Sequence, residues 1–336
     1  MNLQERIEIL ANLGEYISNC LSKKENPEWE AVKHKAYSRN PWFTQESIEH
    51  AARAITEGFL RTELLEEWAK KYPIQQNASI KKIGIVMAGN IPMVGFHDLL
   101  CVFISGQRAI CKLSSKDDIL LKHLVEVMAA RQPEINQYIL FAERLKDCDA
   151  YIATGSNNSA RYFDYYFGKF PSIIRKNRTS VAVLNGREDK EELRALADDI
   201  MLYFGLGCRN VTQIFVPKDY DFLPLLEALK SYSTHFDHPK YKNNFDYQLT
   251  IYIMNNMYYM TNGSIVLIEN EQPFSPIGTL HYKYFEDETL AYENYQHHPS
   301  IQAIVGEKAL PFGKAQQPGL TDYADGVDVM KFLTGL

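Results

Sequence analysis

The stretch IGIVMAGNIP at residues 83–92 decides which class of fold we expect from this sequence. Residues 83–87 form a short apolar run of the kind found in strands that are buried on both faces of a parallel sheet. Small and turn-forming residues follow at 88–92, and the next apolar run, which extends to Ile104, predicts a helix with Pro92 in its first turn. The stretch therefore predicts a buried strand that leads through a tight turn into a helix.

Similar apolar runs occur further along the chain and predict strands at residues 108–113, 150–153 and 180–184. Ser114 begins a polar segment that we expect to open a helix, and Ser156 or Asn157 can cap another helix after the third strand. Strands that alternate with helices imply a parallel sheet covered by helices on both faces. We therefore expect an α/β fold.

The first 80 residues carry amphipathic helical patterns and no candidate catalytic group, so we expect a helical region that packs on the next domain. The second half of the chain again alternates between the two element types. Its predicted elements are helices at 193–204 and 222–229 and strands at 211–217, 245–254 and 264–268. A second α/β domain is therefore expected.

Composition excludes several classes of protein. The 336 residues are 46% hydrophobic and 23% charged, which is ordinary for a globular protein, and the net charge of -6 argues against a nucleic-acid partner held mainly by charge. The most apolar window, residues 91–104, is too short to span a membrane. The five cysteines are scattered without paired spacing, which favours a reducing compartment over a disulfide framework or a zinc site. We expect a cytoplasmic protein without a membrane span or a bound metal.

Cys208 lies between a predicted helix and a predicted strand, in a turn that contains Gly205 and Gly207. Glycines let the backbone bend sharply and let a ligand approach closely. A thiol held on such a turn is a candidate nucleophile. The alternative is a small buried thiol that fills a gap in the core, because free cysteine is among the most buried residue types.

Small and polar residues follow the first three predicted strands, where open α/β sheets bind their ligands. Gly155 and Ser156, at a helix N-terminus, could present free N–H groups to a pyrophosphate, or they could simply form a turn and a helix cap. The standard GxGxxG fingerprint is absent. No acid closely follows Lys112, whereas Ser114, Ser115 and a second lysine do, and these groups favour a 2′-phosphate and hence NADPH.

Two further polar groups have alternative interpretations. Asn90 leaves the first strand and could donate a hydrogen bond to an oxyanion, or it could be a turn residue that bonds its own backbone. The histidines at 235, 238, 297 and 298 lack an adjacent carboxylate–cysteine pattern and are interpreted as solvated or core side chains. Tyr247, Tyr252, Tyr258 and Tyr259 are interpreted as core strand residues rather than as the lining of an acyl pocket.

Residues 80–336 resemble the aldehyde dehydrogenase superfamily, and within it the LuxC-like acyl-CoA reductase branch. The resemblance lies in the order and spacing of short segments. Residues 89–92 are similar to the superfamily's Trp-Asn-Phe-Pro, 112–115 to Lys-Pro-Ser-Glu, 154–156 to Thr-Gly-Ser, 207–208 to the nucleophile motif, 272–276 to Glu-x-Phe-Gly-Pro and 311–313 to Pro-Phe-Gly-Gly. The tail at 322–328 is similar to that of the LuxC-like branch. Ser115 and Gln272 stand where the superfamily has acids.

The resemblance implies a fold and a set of roles. It implies a Rossmann-type cofactor domain at 81–188, an α/β catalytic domain at 189–305 and a C-terminal segment at 306–336 that returns to the cofactor domain, beside the helical region at 1–80. Cys208 would be the nucleophile and Asn90 the oxyanion donor. The implied NADPH-binding residues are Lys112, Ser114, Ser115, Thr154, Gly155, Ser156, Gln272 and Phe274. The superfamily's oligomers suggest that this chain could form a homo-oligomer.

One departure from the superfamily bears on the reaction. Residues 174–178, Ile-Arg-Lys-Asn-Arg, replace the Glu-Leu-Gly-Gly segment whose glutamate activates water, and no acid occurs between Asp164 and Glu188. We therefore expect reduction of an acyl-CoA or acyl-protein thioester to an aldehyde. Arg175, Lys176 or Arg209 could lower the thiol pKa or bind CoA phosphate.

Three other functions remain open from the sequence. One is an NAD(P)-dependent aldehyde dehydrogenase that hydrolyses its acyl-enzyme, against which the missing glutamate argues. Another is a cofactor-free acyltransferase that uses Cys208. The third is a binding protein on a degenerate fold, in which the thiol is merely buried.

Overall fold

The computed structural model describes residues 1–22, 26–74 and 79–336, which divide into two compact units. The first unit is Met1–Asn177 with Pro318–Leu336, and the second is Arg178–Gln317. The expected boundary at 188 differs from this division because the strand Thr179–Val183 pairs with strands of the second unit. The expected boundary at 305 differs because residues 306–317 also belong to the second unit. Residues 23–25 and 75–78, which belong to the predicted helical region, lie outside the described residues.

The amino-terminal part of the first unit is helical, as predicted. Its helices are α1 (Leu3–Ser22), α2 (Pro27–Arg39), α3 (Gln45–Phe59) and α4 (Thr62–Ala69). Asn26 caps α2 through the Trp29 N–H, and Thr44 caps α3 through the Ser47 N–H. Trp29 is among the largest fully buried side chains, so it anchors this part of the core.

The rest of the first unit is an α/β sheet. Its elements are β1 (Lys82–Val86), α5 (Phe96–Ile104), β2 (Arg108–Lys112), α6 (Leu120–Arg131), α7 (Ile135–Tyr138), β3 (Ile139–Phe141), β4 (Ala150–Thr154), α8 (Asn157–Phe167) and β5 (Ser172–Arg175). The described strands pair in parallel in the order β3-β2-β1-β4-β5. Strand order therefore reverses between β1 and β4, which is the switch point of a doubly wound sheet.

Two predicted helix starts in this unit were wrong. Helix α5 begins at Phe96, so Pro92 lies in the preceding turn, where Met93 has a φ of 56°. Helix α6 begins at Leu120, because residues 114–117 form a turn closed by the hydrogen bond from the Asp117 N–H to the Ser114 carbonyl. Both loops are therefore longer than the sequence pattern indicated.

The second unit contains β6 (Thr179–Val183), α9 (Lys190–Met201), β7 (Val211–Pro217), α10 (Leu223–Ala228), α11 (Pro239–Met254), β8 (Met260–Thr261), β9 (Val266–Glu269), β10 (Thr279–Phe285), α12 (Glu288–Gln296) and β11 (Ile301–Val305). These strands form one sheet in the order β11-β6-β7-β10-β9-β8. Strand β8 pairs antiparallel with β9, and the other described pairs are parallel. The strand predicted at 180–184 was expected in the cofactor domain, but it belongs to the sheet of the second unit.

The prediction of a strand at 245–254 was wrong, because this segment is the second half of helix α11. Pro239 occupies the first turn of the helix, where proline is favoured. Tyr241, Phe245 and Tyr252 are buried on one helical face, whereas Tyr247 is exposed. Aromatic residues suit both element types, so the short apolar run misled the interpretation.

The carboxyl-terminal residues Pro318–Leu336 belong to the first unit and end in α13 (Val329–Thr334), which packs against α5. Tyr323 is buried there and accepts a hydrogen bond of 2.9 Å from Trp68 Nε1. The Oη atoms of Tyr72 and Tyr323 lie 2.7 Å apart. Among the described residues, no helix has the length and apolar character needed to cross a membrane.

Candidate active site

The carboxyl ends of β1, β2 and β4 lie at one edge of the first unit's sheet. In the parallel register, Val86 pairs with Lys112 on one side and with Ala153 on the other. Asn90 follows β1, Ser114 and Ser115 follow β2, and Thr154 ends β4 with Gly155 and Ser156 directly after it. The structure thus brings the predicted cofactor residues of this unit to the edge where α/β sheets bind their ligands, on both sides of the switch point.

Gly89 lies in close contact with the segment that follows β2. A Cβ atom at this position would lie 2.6 Å from Ser114 Oγ and 3.3 Å from the Asp117 Cβ. Only glycine permits this approach. Asn90, the next residue, is exposed.

Asp117 holds the loop that follows β1. It is buried, and its Oδ2 accepts a hydrogen bond of 2.7 Å from the Met93 N–H. Burial raises the pKa of the Asp117 carboxyl to about 7, although the hydrogen bond from Met93 acts in the opposite direction. No sequence signal indicated this role, because an Asp-Asp pair before a helix resembles a solvated helix start.

The end of β2 presents cationic and hydroxyl groups. Lys112 and Ser115 are exposed, and Ser114 Oγ accepts a hydrogen bond of 3.2 Å from the Lys116 N–H. The neighbouring carboxylate of Asp118 lies 3.4 Å from Lys122 Nζ in an ion pair. The nearby acids are thus engaged elsewhere, and the available donors suit a phosphate group.

The Thr154-Gly155-Ser156 turn differs from expectation in one respect. Ser156 caps α8 as predicted, accepting a hydrogen bond of 3.2 Å from the Ser159 N–H. The Gly155 N–H, however, donates to the Arg175 carbonyl at 3.3 Å and is not free for a pyrophosphate. Glycine is required at 155 by packing, because a Cβ atom would lie 2.8 Å from the Phe163 ring.

Arg175 has a buried partner within its own unit. Its Nη1 donates a hydrogen bond of 2.6 Å to Asp98 Oδ2, and the two side chains are 4% and 11% exposed. A guanidinium paired in this way is a poor candidate for a CoA phosphate contact, so the expectation that Arg175 binds CoA is not supported. Lys176, the next residue, is exposed.

Ile174 occupies β5 where the resemblance places the water-activating glutamate. Its side chain is half-buried, between the buried Ile173 and Arg175. An aliphatic side chain can neither accept a proton from water nor orient it, so this strand provides no general base.

In the second unit, Cys208 lies in the predicted turn between α9 and β7. Helix α9 begins with a capping box between Asp189 and Glu192 and ends at Met201. Tyr203, Phe204 and Gly205 then adopt left-handed conformations with φ values of 55°, 59° and 76°. Left-handed conformations in consecutive non-glycine residues are strained and persist only where the surroundings enforce them.

Aromatic packing holds this strained segment. The ring centroid of Phe204 lies 4.2 Å from that of His235 and 4.9 Å from that of His238. Burial lowers the pKa of His235 to about 4. These two histidines therefore act as packing groups here, as the sequence analysis expected.

Cys208 differs from the other four cysteines in its exposure. It is half-buried, whereas Cys20, Cys101, Cys111 and Cys148 are buried, and burial raises the pKa of each of these four thiols. A raised pKa leaves less of the reactive thiolate at neutral pH. Cys208 is thus the most accessible of the five thiols, and the half-buried Arg209 follows it directly.

The segment that carries Gln272 and Phe274 lies beside the start of β7, the strand that follows the cysteine turn. Thr212 Oγ1 donates a hydrogen bond of 2.5 Å to the Pro273 carbonyl, and Gln213 Nε2 donates one of 2.7 Å to the Asn270 carbonyl. Both Gln272 and Phe274 are exposed. The second unit therefore holds Cys208, Arg209 and this segment near the first residues of one strand.

Two buried polar residues of this unit escaped the sequence analysis. Asn210 closes the turn around Cys208, and Asp199 accepts hydrogen bonds from the N–H groups of Gly313 and Ala315 at 2.6 and 2.9 Å. Burial raises the pKa of Asp199 to about 7. The only sequence signal was the placement of Asn210 two residues after the cysteine.

Comparison with known proteins adds a fold assignment. No protein-family model matches the sequence, and no curated protein matches it. A variant of aldehyde dehydrogenase from Bacillus cereus matches with a TM-score of 0.66 at 13% identity, over 91% of this chain and 72% of that chain. The aldehyde dehydrogenase KauB from Pseudomonas aeruginosa matches with a TM-score of 0.63 at 13% identity, over 91% and 72% of the two chains.

A third match was solved with ligands. The P. syringae indole-3-acetaldehyde dehydrogenase AldA, in complex with NAD+ and IAA, has a TM-score of 0.62 at 13% identity, over 91% of this chain and 72% of that chain. Likeness at such low identity establishes architecture and nothing more. The chain therefore has the aldehyde dehydrogenase-like fold.

Proposed function

We propose that this chain is an NADPH-dependent acyl-CoA reductase that forms an aldehyde through an acyl-enzyme on Cys208. One observation carries the proposal. Among the described cysteines, Cys208 alone is not buried and lies on a turn held by hydrogen bonds, and the resemblance sets Ile174 at the position of the superfamily's water-activating glutamate. An acyl group on Cys208 would therefore persist until it is reduced.

The carboxyl edge of the first unit's sheet supports the cofactor assignment. Lys112, Ser114 and Ser115 offer a cation and hydroxyl groups with no exposed acid between them, which fits the 2′-phosphate of NADPH. Ser156 would contact the pyrophosphate at the start of α8, and Thr154 and Gly155 would line the same turn. Gln272 and Phe274 of the second unit would contact the nicotinamide ribose.

The chemistry begins with the cysteine. The Cys208 thiolate attacks the thioester carbonyl, a tetrahedral oxyanion forms, and the C–S bond to the leaving CoA thiolate breaks. Asn90 donates a hydrogen bond to this oxyanion from its side-chain amide. Arg209, next to the thiol, favours the thiolate, and the exposed Lys176 is available for a CoA phosphate.

When bound, NADPH supplies the hydride that reduces the acyl group on Cys208. The resulting thiohemiacetal then releases the aldehyde and returns the Cys208 thiolate. The sum is one thioester, one NADPH and one proton converted to one aldehyde, one NADP+ and one free CoA thiol. Ile174, unlike a carboxylate at the superfamily's base position, cannot direct water to the acyl carbon.

The test is incubation with a long-chain acyl-CoA and NADPH, with NADPH absorbance and CoA release followed together. The proposal predicts a stoichiometric loss of both, abolished in Cys208→Ala. CoA release without NADPH consumption would instead support a cofactor-free acyltransferase. Formation of carboxylic acid from an aldehyde and NAD(P)+ would support a hydrolytic aldehyde dehydrogenase, and no signal in any assay would support a binding protein.

A further inference from the structure

Asn210 is buried and forms an unusually complete set of hydrogen bonds around the cysteine turn. Its Oδ1 accepts a hydrogen bond of 2.8 Å from the Gly207 N–H, and its own N–H donates one of 3.1 Å to the Gly207 carbonyl. Cys208 and Arg209 lie between the two residues that these bonds join. The turn is thus closed by the backbone and by the side chain at once.

The amide nitrogen of the Asn210 side chain donates hydrogen bonds to backbone carbonyls at the end of helix α9. Its Nδ2 atom lies 3.1, 3.2 and 2.8 Å from the carbonyl oxygens of Asp199, Ile200 and Leu202. The last carbonyls of a helix have no partner within the helix, and leaving them unpaired in a buried site is costly. Asn210 therefore couples the end of the helix to the turn that carries the thiol.

The neighbouring strand fixes the same turn from its other side. Ser180 Oγ donates a hydrogen bond of 3.2 Å to the Cys208 carbonyl, and the Ser180 N–H donates one of 3.0 Å to the Asn210 carbonyl. Ser180 and Asn210 are both fully buried. The backbone of Cys208 is thus held from β6 as well as from Asn210.

The strained residues before the turn indicate that this geometry is enforced. Tyr203 and Phe204 are left-handed without being glycine, and the Asn210 contact with the Leu202 carbonyl lies directly before them. Such strain is unfavourable and clusters at functional sites. Asn210 is well placed to stabilise the strained path of the chain.

We propose that Asn210 is a positioning residue for Cys208, which acts with Ser180 to hold the turn in the geometry required for attack on a carbonyl. The inference rests on the proposed role of Cys208 as the nucleophile. It predicts that loosening the turn slows carbonyl attack, where an oxyanion must meet fixed donors, more than it slows simple alkylation of the same thiol. Misplacement by about 1 Å can cost about a hundred-fold in rate.

The experiment compares two reactions of Cys208 in the full chain. The first is the burst of p-nitrophenolate from p-nitrophenyl acetate, with Cys208→Ala as the blank. The second is alkylation by iodoacetamide, measured at the Cys208 peptide by mass spectrometry. The other cysteines are buried, which favours selective labelling. Neither reaction requires NADPH or a CoA thioester, so the outcome is independent of the physiological substrate.

The variants are Asn210→Ala and Ser180→Ala, and the control is Asn255→Ala. Asn255 also donates to a helix-end carbonyl, that of Ile251 at 2.8 Å, but it is exposed and ends α11. We expect the burst rate to fall about a hundred-fold in Asn210→Ala and about ten-fold in Ser180→Ala, while alkylation in both changes by less than about three-fold. The control is expected to retain both rates.

An equal fall in both reactions, or an unchanged burst, would overturn the inference. If Asn210→Ala does not fold, the ratio of the two rates in Ser180→Ala decides the question alone, and an unchanged ratio rejects it. The absence of a Cys208-dependent burst in the native protein would overturn both the inference and the proposed nucleophile. A normal burst without NADPH-dependent thioester reduction, together with the expected variant ratios, would support the inference and reject the proposed function.

Discussion

Replacing Arg175 by methionine tests whether this arginine is a structural ion-pair partner or an anion-binding residue. The substitution keeps an apolar stem of similar length and removes the cation that pairs with Asp98 at 2.6 Å. Removing one member of a buried ion pair leaves the other charge unpaired and typically costs about 3–5 kcal/mol. With exposures of 4% and 11%, this pair belongs to the buried class. We therefore expect Arg175→Met to lower the free energy of unfolding by about 4 kcal/mol.

Urea unfolding provides the measurement, with Lys176→Met as the control. Lys176 is adjacent and exposed, so its replacement is expected to change the free energy of unfolding by less than about 0.5 kcal/mol. Combining Arg175→Met with Asp98→Asn removes both charges and is expected to recover most of the loss. A loss below about 1 kcal/mol in Arg175→Met, together with weakened binding of CoA, would refute this account and restore the anion-binding role.

Two further predictions concern a buried acid and the replaced base. The pKa of Asp199 is raised from 3.8 to about 7, so between these pH values the folded state holds a proton that the unfolded chain has released. The free energy of unfolding therefore falls as pH rises through this range, by about 4 kcal/mol at most. Asp199→Asn is expected to remove this dependence. The melting temperature of the variant minus that of the native protein should therefore increase between about pH 5 and about pH 8. A difference that does not change with pH would contradict this prediction. Ile174→Glu supplies a carboxylate at the superfamily's base position and is expected to divert product from aldehyde to carboxylic acid, with Ile174→Gln as the uncharged control. Unaltered product ratios in both variants, measured by chromatography, would show that the identity of residue 174 does not protect the acyl-enzyme.

The elements that the sequence predicted well are those whose signal is local. The helix before Cys208 carries a regular apolar face, the strand after it is β-branched and ends in proline, and the structure confirms both. The cap at Ser156 is likewise a short-range pattern and is confirmed. Such features need only the residues within one or two helical turns.

The features that the sequence concealed depend on contacts between distant residues. Asp199 binds the N–H of Gly313, 114 positions away, and nothing near either residue indicates this contact. The short strands β3 and β5 are edge strands of three and four residues, too short for a periodic pattern. The pairing of Arg175 with Asp98 likewise buries a cation that was expected to lower the thiol pKa or to bind a CoA phosphate.

The most direct test of the central claim is the intact mass of the protein after mixing with a long-chain acyl-CoA, first without and then with NADPH. We expect one acyl group to add at Cys208 and to persist in water without NADPH. Addition of NADPH should then remove the adduct and yield one aldehyde for each NADPH consumed. Loss of the adduct as free acid without NADPH, or aldehyde formation by Cys208→Ala, would contradict the account.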